Sequence, residues 1–401
     1  METRRTFLKQ MALAGVTGLV ASRISWARIK GDTKKTEVTL EQAWALHKKC
    51  LIIDGHNDVP MRRMAKNKAG NREIPLKWME RDNVYQTDLV RARENGQQYV
   101  AFMIMAPGRG STEQFMRNAA EIAGQVEKHP KDIQQVLTSA DALAAGASGK
   151  VGVINAIEGG CGPLAGDLEN LKRFYDKGLR LAGISHGEGG ADAKYLQGTP
   201  SERGRWSVEE RKEAAKTMVG LTPFGLEVLK LSNELGIVTD LSHINDKAFM
   251  DVMEKSSLPV IVSHTAVYSL CQVGRCMTDD QIKALAANDG VVGVTFVPRF
   301  LDNEAAKVAN IVDRFVDHLC YVADLVGVDY VGIGSDFDGG VNKPVIDDVS
   351  QFVQITQGMM ARGFTEAEIQ KIWNGNFLRV MKKTMDLKKQ PVAPNTLSNL
   401  N

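Results

Sequence analysis

Short apolar, β-branched runs alternate along most of this chain with longer segments of helical periodicity. The runs are Leu51–Asp54, Gln98–Met105, Val151–Ile157, Gly178–Ile184, Gly236–Leu241, Pro259–Ser263, Val291–Phe296 and Tyr330–Gly334. Their nearly continuous apolar character predicts strands buried on both faces, hence a parallel sheet covered by helices. One helix is predicted from Thr222 as N-cap, with Pro223 in its first turn and Gly236 just past its end. Phe224, Val228, Leu231 and Leu235 form its inward face. Another is predicted over Glu304 to Val326, with Val308, Ile311, Phe315, Leu319 and Val322 inward. Thr39 and Gln42 make a capping box for a helix through Lys49.

Eight strands separated by helices are what a closed (β/α)8 barrel requires, and an α/β fold of this TIM type is the expectation. An open, doubly wound sheet is the competing arrangement. The segment from Gly187 to Gly220 is long and rich in glycine and charge, and is expected to fold over the barrel mouth. The organisation read from the chain is an export signal over 1–27, a polar linker over 28–38, the barrel over 39–387 and a polar tail over 388–401. No internal repeat recurs at a fixed period.

Composition narrows the partners. The net charge of the 401-residue chain is +2, but the first 27 residues carry Arg4, Arg5, Lys9 and Arg23 against Glu2 alone. The remainder holds 46 basic and 47 acidic side chains, so it offers no basic stripe for nucleic acid and no polybasic membrane patch. The start itself, METRRTFLK, then an apolar stretch from Met11 to Ala21 and the small residues of Ser25-Trp26-Ala27, reads as a cleavable signal. Its Arg-Arg-x-Phe-Leu-Lys run resembles a twin-arginine signal, which implies a bacterial protein exported folded to the periplasm. The apolar stretch is too short to span a bilayer comfortably, so no membrane span is expected after cleavage. Five cysteines (Cys50, Cys161, Cys271, Cys276, Cys320) are an odd count, and Cys271 with Cys276 is a candidate disulfide.

The chemistry concentrates at strand ends, where barrel active sites lie. The first run leads into Asp54-Gly55-His56-Asn57-Asp58, the third into Glu158-Gly159-Gly160 and the fourth into Ser185-His186. The fifth leads into Ser242-His243, the sixth into Ser263-His264 and the eighth into Ser335-Asp336-Phe337-Asp338. Four of the seven histidines stand at these ends, while His47, His129 and His318 fall on helices and loops. His56 and Asp58, two apart on a strand, can grip one ion. His243 and His264, on neighbouring strands, can hold a second, and Glu158 can bridge the pair. Imidazole and carboxylate without thiolate suit zinc or a similar divalent ion in an open, catalytic site. Two such ions can share a hydroxide and lower its pKa towards ~7. His186, taken alone, reads equally as a rim residue or a functional one. Asp336 is the acid–base candidate; Asp338, before Gly339, caps a helix or shapes the loop.

These residues, in this order, resemble the membrane (renal) dipeptidase family of metallopeptidases, a branch of the amidohydrolase-type barrels. The resemblance covers about residues 40 to 385. It rests on LIIDGHND at 51–58, NAIEGG at 155–160, LTPFGLEVLKLSNELGIVTDLSH at 221–243, PVIVSHTAVYSLC at 259–271, VGVDYVGIGSDFDG at 326–339 and NGNFLRVM at 374–381. It implies His56 and Asp58 on one zinc, His243 and His264 on the other, and Glu158 between them. It further implies that Asp336 relays protons to the leaving amine, that His186 steadies the tetrahedral oxyanion, and that Arg275 binds the substrate's terminal carboxylate. The expected function is zinc-dependent hydrolysis of dipeptides, including those with a C-terminal D-residue. Another amide or lactone hydrolase of the same superfamily, or a non-catalytic metal-binding barrel, is the alternative. Family members are often dimers, which implies a homodimer here. There are departures: the family usually has Asn after the histidine matching His186, where Gly187-Glu188-Gly189-Gly190 stands here. Cys276 follows Arg275 where Asn is typical. The cysteine matching Cys271 pairs in animal enzymes with one on the next strand's loop, and Val297–Asp302 supplies no counterpart.

Overall fold

The computed structural model describes residues 36–60, 79–81, 85–94, 98–340 and 343–387. The expected signal peptide, most of the linker and the polar tail lie outside the described residues.

Nine strands form one parallel sheet: β1 (Leu51–Asn57), β2 (Gln98–Pro107), β3 (Ile133–Gln135), β4 (Val151–Glu158), β5 (Leu179–Gly183), β6 (Val238–Asp240), β7 (Ile261–Thr265), β8 (Val291–Val294) and β9 (Val331–Ile333). Eight of them match the predicted runs, each within three residues of the expected ends. The ninth, β3, pairs with β4 off the main path and is too short to stand out from its sequence. The order β1-β2-β4-β5-β6-β7-β8-β9 is the sequential order of a (β/α)8 barrel, not the reversing order of a doubly wound sheet. The ends of that path meet where Asn57 pairs with Phe337, with Asp58 N–H donating to the Phe337 carbonyl at 2.8 Å.

Asp54 reinforces that seam. Its buried carboxylate accepts from Ser335 N (2.7 Å), Ser335 Oγ (2.6 Å), Tyr99 Oη (3.0 Å) and His56 N (3.2 Å), tying β1 to the end of β9 and to β2. Alternation along the strands splits the apolar residues into two layers. Ile53, Phe102, Ile104, Ala156, Leu181 and Ile261 fill the barrel, while Ile52, Ala101, Met103 and Val153 face the helices.

The barrel floor is plugged by the helix Asn376–Thr384, whose Phe377 ring enters the interior. A Cβ added to Gly55 would lie 2.8 Å from that ring and 2.9 Å from the Ser263 carbonyl, so glycine is what admits it. Asn376 Nδ2 pins the plug to the Val328 and Val331 carbonyls.

The helix Pro223–Leu235 has the expected Thr222 cap and ends on Gly236 at φ 77°. Its buried face is Phe224, Val228, Leu229 and Ser232; Leu231 and Leu235 are only partly buried, so the stripe is rotated from the predicted one. The helix predicted from Glu304 starts later, at Ile311, because Asn310 Oδ1 caps the amides of Val312 and Asp313. Val308 therefore lies outside it. The candidate Cys271–Cys276 disulfide is not formed: all five cysteines are free, and these two thiols donate to the Arg299 and Phe300 carbonyls.

Candidate metal centre and active site

At the barrel mouth the five expected ligands converge. Three imidazole Nε2 atoms approach a single oxygen, Glu158 Oε1: His243 at 3.0 Å, His264 at 3.4 Å and His56 at 3.7 Å. Asp58 Oδ2 stands 3.3 Å from His56 Nε2, and the two imidazoles of His243 and His264 are 2.9 Å apart through their Nε2 atoms. Local backbone explains the convergence. The β1 register shifts between Asp54 and Asn57, which turns His56 towards the mouth. His243 and Asp336 hold φ of 61° and 59°, a left-handed conformation that non-glycine residues adopt only under constraint. Ser201 Oγ donates to the His243 carbonyl, and Asp336 N–H donates to the His56 carbonyl at 3.1 Å.

Two residues read from sequence as lying beside the ligands are within ligating range of them. Asp336 groups with His56 and His264, and His186 with Glu158 and His243; His186 Nε2 is 3.5 Å from Glu158 Oε2. Arg275 is buried, with Nη2 donating to the His264 carbonyl at 3.1 Å and Nε left without a partner. Asp338 serves the loop instead: its Oδ1 accepts from Gln86 N and its own N–H donates to Gln86 Oε1.

Burial dominates the electrostatics of the cluster. Burial raises the Glu158 carboxyl well above its usual range, against the opposing pull of His56. Burial also drives His243 and His264 well below theirs, with Arg275 adding to the effect at His243 and His56 at His264. His56 is the exception: burial lowers it, but Asp58 and Glu158 override that and hold it at about 10. With the His243 and His264 Nε2 atoms 2.9 Å apart and both turned on Glu158 Oε1, these two rings cannot pair all their polar atoms with one another and with that oxygen. Asp58 Oδ1 is buried with no hydrogen-bond partner. Imidazole nitrogens and carboxylate oxygens in this density fit divalent metal.

A supporting network behind the expected ligands was missed from sequence. Buried Asp240 accepts from Ser242 N (3.0 Å), Ser263 N (2.8 Å) and Ser263 Oγ (2.6 Å). With its proton committed to Asp240, Ser263 Oγ accepts from His264 Nδ1 at 2.9 Å, which leaves His264 Nε2 free as a ligand. The available signal was the Ser-His dipeptide repeated at 185–186, 242–243 and 263–264.

The wall after β5 carries the Gly187–Gly190 departure. Glu188 Oε2 accepts from His186 N at 2.9 Å, while the Arg203 guanidinium, from the long segment expected over the mouth, donates to the His186 carbonyl. Burial first, then Arg203, holds His186 at about 4, so its ring is neutral near pH 7.

The profile described as Membrane dipeptidase (Peptidase family M19) matches residues 40–394. The chain therefore belongs to the membrane dipeptidase family, and is an enzyme of the metallodipeptidase class. "Dipeptidase ataJ" of Aspergillus terreus is 31% identical over 360 residues, covering 84% of this chain and 85% of the relative. "Dipeptidase 3" of Mus musculus is 30% identical over 362 residues, covering 88% and 68%. Among solved structures, a metallopeptidase from Rhodobacter sphaeroides, liganded with a phosphinate mimic of the dipeptide L-Ala-D-Ala, superposes with a TM-score of 0.71 at 26% identity. It covers 84% of this chain and 99% of that one.

Proposed function

We propose that this protein is a zinc-dependent dipeptidase, exported to the periplasm, that hydrolyses dipeptides with a free C-terminal carboxylate. The observation that carries the reading is the convergence of three imidazoles on Glu158 Oε1, with Asp336, His186 and Arg275 around it. In this reading His56 and Asp58 hold one zinc ion, His243 and His264 the other, and Glu158 both. When bound, such a pair supplies a water activated at neutral pH and a clamp for developing negative charge.

The chain's own groups divide the remaining work. Burial and the neighbouring Asp58 hold the Asp336 carboxyl at about 7, His56 opposing. A carboxyl near neutrality can take a proton from the attacking water and return it to the leaving amine. His186, neutral, can donate an N–H to the tetrahedral oxyanion. Arg275, buried and partly unpaired, presents a guanidinium fork suited to a carboxylate. The mimic held by the Rhodobacter sphaeroides enzyme makes dipeptides ending in a D-residue part of this proposal.

The test is a dipeptide panel with added zinc and with chelator, each peptide paired with its C-terminal amide. Zinc-dependent cleavage of the acids and poor cleavage of the amides is expected. Equal cleavage of the amides would move the reading to a related amide or lactone hydrolase.

A further inference from the structure

The mouth carries positive charge that the ligand set does not use. One cavity of about 710 Å³ is lined by Arg203, Arg205, Arg299 and Phe300 among others; a second, of about 570 Å³, reaches Asp336 and is lined by Arg299 and Lys343. Arg299 borders both. The acids nearby are already committed, Asp302 to Arg314 at 2.8 Å and Glu304 to Lys307 at 2.8 Å. Among the described residues no carboxylate pairs with Arg203, Arg205 or Arg299.

Two of the cations are geometrically linked. The Arg275 guanidinium carbon lies 5.7 Å from the centroid of the Phe300 ring and that of Arg299 4.9 Å from the same centroid. The two carbons are thus no more than roughly 11 Å apart, both within cation–π range of one ring. Arg203 is seated by the departure at Gly187: a Cβ there would fall 2.5 Å from Arg203 Nη2. Any side chain larger than glycine would displace it from its place over His186.

We propose that the preferred dipeptide has an acidic C-terminal residue, with its main-chain carboxylate on Arg275 and its side-chain carboxylate on Arg299. This rests on the dipeptidase reading above. A carboxylate takes a guanidinium through two parallel bonds, and the limit of roughly 11 Å between the two guanidinium carbons is within what an aspartyl or glutamyl residue spans with one guanidinium bonded to each of its carboxylates. Arg203 and Arg205 extend the positive field outward and steer an anionic substrate inward. A lysine or arginine at the same position would be repelled, and a neutral side chain would leave Arg299 without a carboxylate.

The experiment compares kcat/KM for Ala-Glu and Ala-Gln, isosteric but for charge, each with an L- and a D-residue at the C-terminus, on the zinc-loaded mature protein. Wild type should favour Ala-Glu by about tenfold or more, and 0.5 M salt should shrink the ratio. Because Arg299 is exposed, Arg299→Gln should fold normally, and a thermal melt checks this. In that variant the ratio should drop to within about threefold, mainly through KM. Arg299→Lys should retain part of it. Cleavage of both peptides at similar rates by wild type, or an unchanged ratio in Arg299→Gln, overturns this inference and leaves the dipeptidase reading intact. Cleavage of neither, nor of Ala-Ala, overturns both.

Discussion

Single residues at the mouth make different kinds of contribution, and substitutions can separate them. Glu158 is the one oxygen donor approached from three sides, so Glu158→Gln should reduce metal content from about two ions per chain by at least one. Elemental analysis showing full occupancy would remove it from the bridging role. Ser263 acts one step back, by fixing the His264 ring. Ser263→Ala should weaken metal affinity by roughly 10–100-fold, the usual scale for a lost ligand-orienting bond, as read by competition with a chromophoric chelator. Asp336→Asn should keep both ions while slowing turnover by roughly 10²-fold or more. Survival of activity within about threefold, with an unchanged pH profile, would reassign the proton relay. The positions of His56, Asp58, Glu158, His243 and His264 were legible because ligating residue types stand at strand ends, and strand ends were legible from periodicity. Asp240 and Ser263 were not. A buried Asp and a Ser are common structural residues, and only their distances to His264 reveal what they orient.

Elements are held by contacts that sequence periodicity does not report. The floor plug depends on Phe377 entering between glycines, so Phe377→Ala should cost about 3–5 kcal/mol, measured by denaturant unfolding of the metal-loaded protein. The helix Ile311–Val326 carries a pH-sensitive joint. His318 Nε2 donates to the Leu301 carbonyl at 2.8 Å while Nδ1 accepts from Val267 N at 3.0 Å, a pairing only the neutral ring can make. Burial lowers it from the ordinary 6.5 to about 4. The folded state therefore binds fewer protons than the unfolded chain between those values. Stability from this group is full above the ordinary value and falls by up to roughly 3 kcal/mol as pH drops through the window to about 4. His318→Gln, which can both accept and donate, should flatten the pH dependence of Tm between 6.5 and 4 relative to wild type. An unchanged slope would assign the acid sensitivity to other groups. The helix start at Ile311, not Glu304, shows the same limit. Apolar spacing continued through Val308, and the cap at Asn310 overrode it.

At the scale of the whole molecule, metal and fold should be coupled. A site that exists only when eight strands close is bound by the folded chain alone, so chelation should lower Tm and zinc should restore it in a concentration-dependent way. The proposed export is a separate whole-chain property, to be carried by the first residues. Arg4→Lys with Arg5→Lys should retain the protein in the cytoplasm, as followed by cell fractionation. No helix among the described residues is long and apolar enough to cross a membrane. What the sequence by itself determined was the order of the eight barrel strands, the positions of the metal-binding residue types at their ends, and the family. These follow from local periodicity and from residue types whose burial demands a partner. What only the tertiary structure decided was closure at Asn57 and Phe337, the Asp54 seam, the Asp240 network, and the pairing of Arg275 and Arg299 on one ring. Each joins residues far apart in sequence, and no local pattern encodes a distance across the barrel.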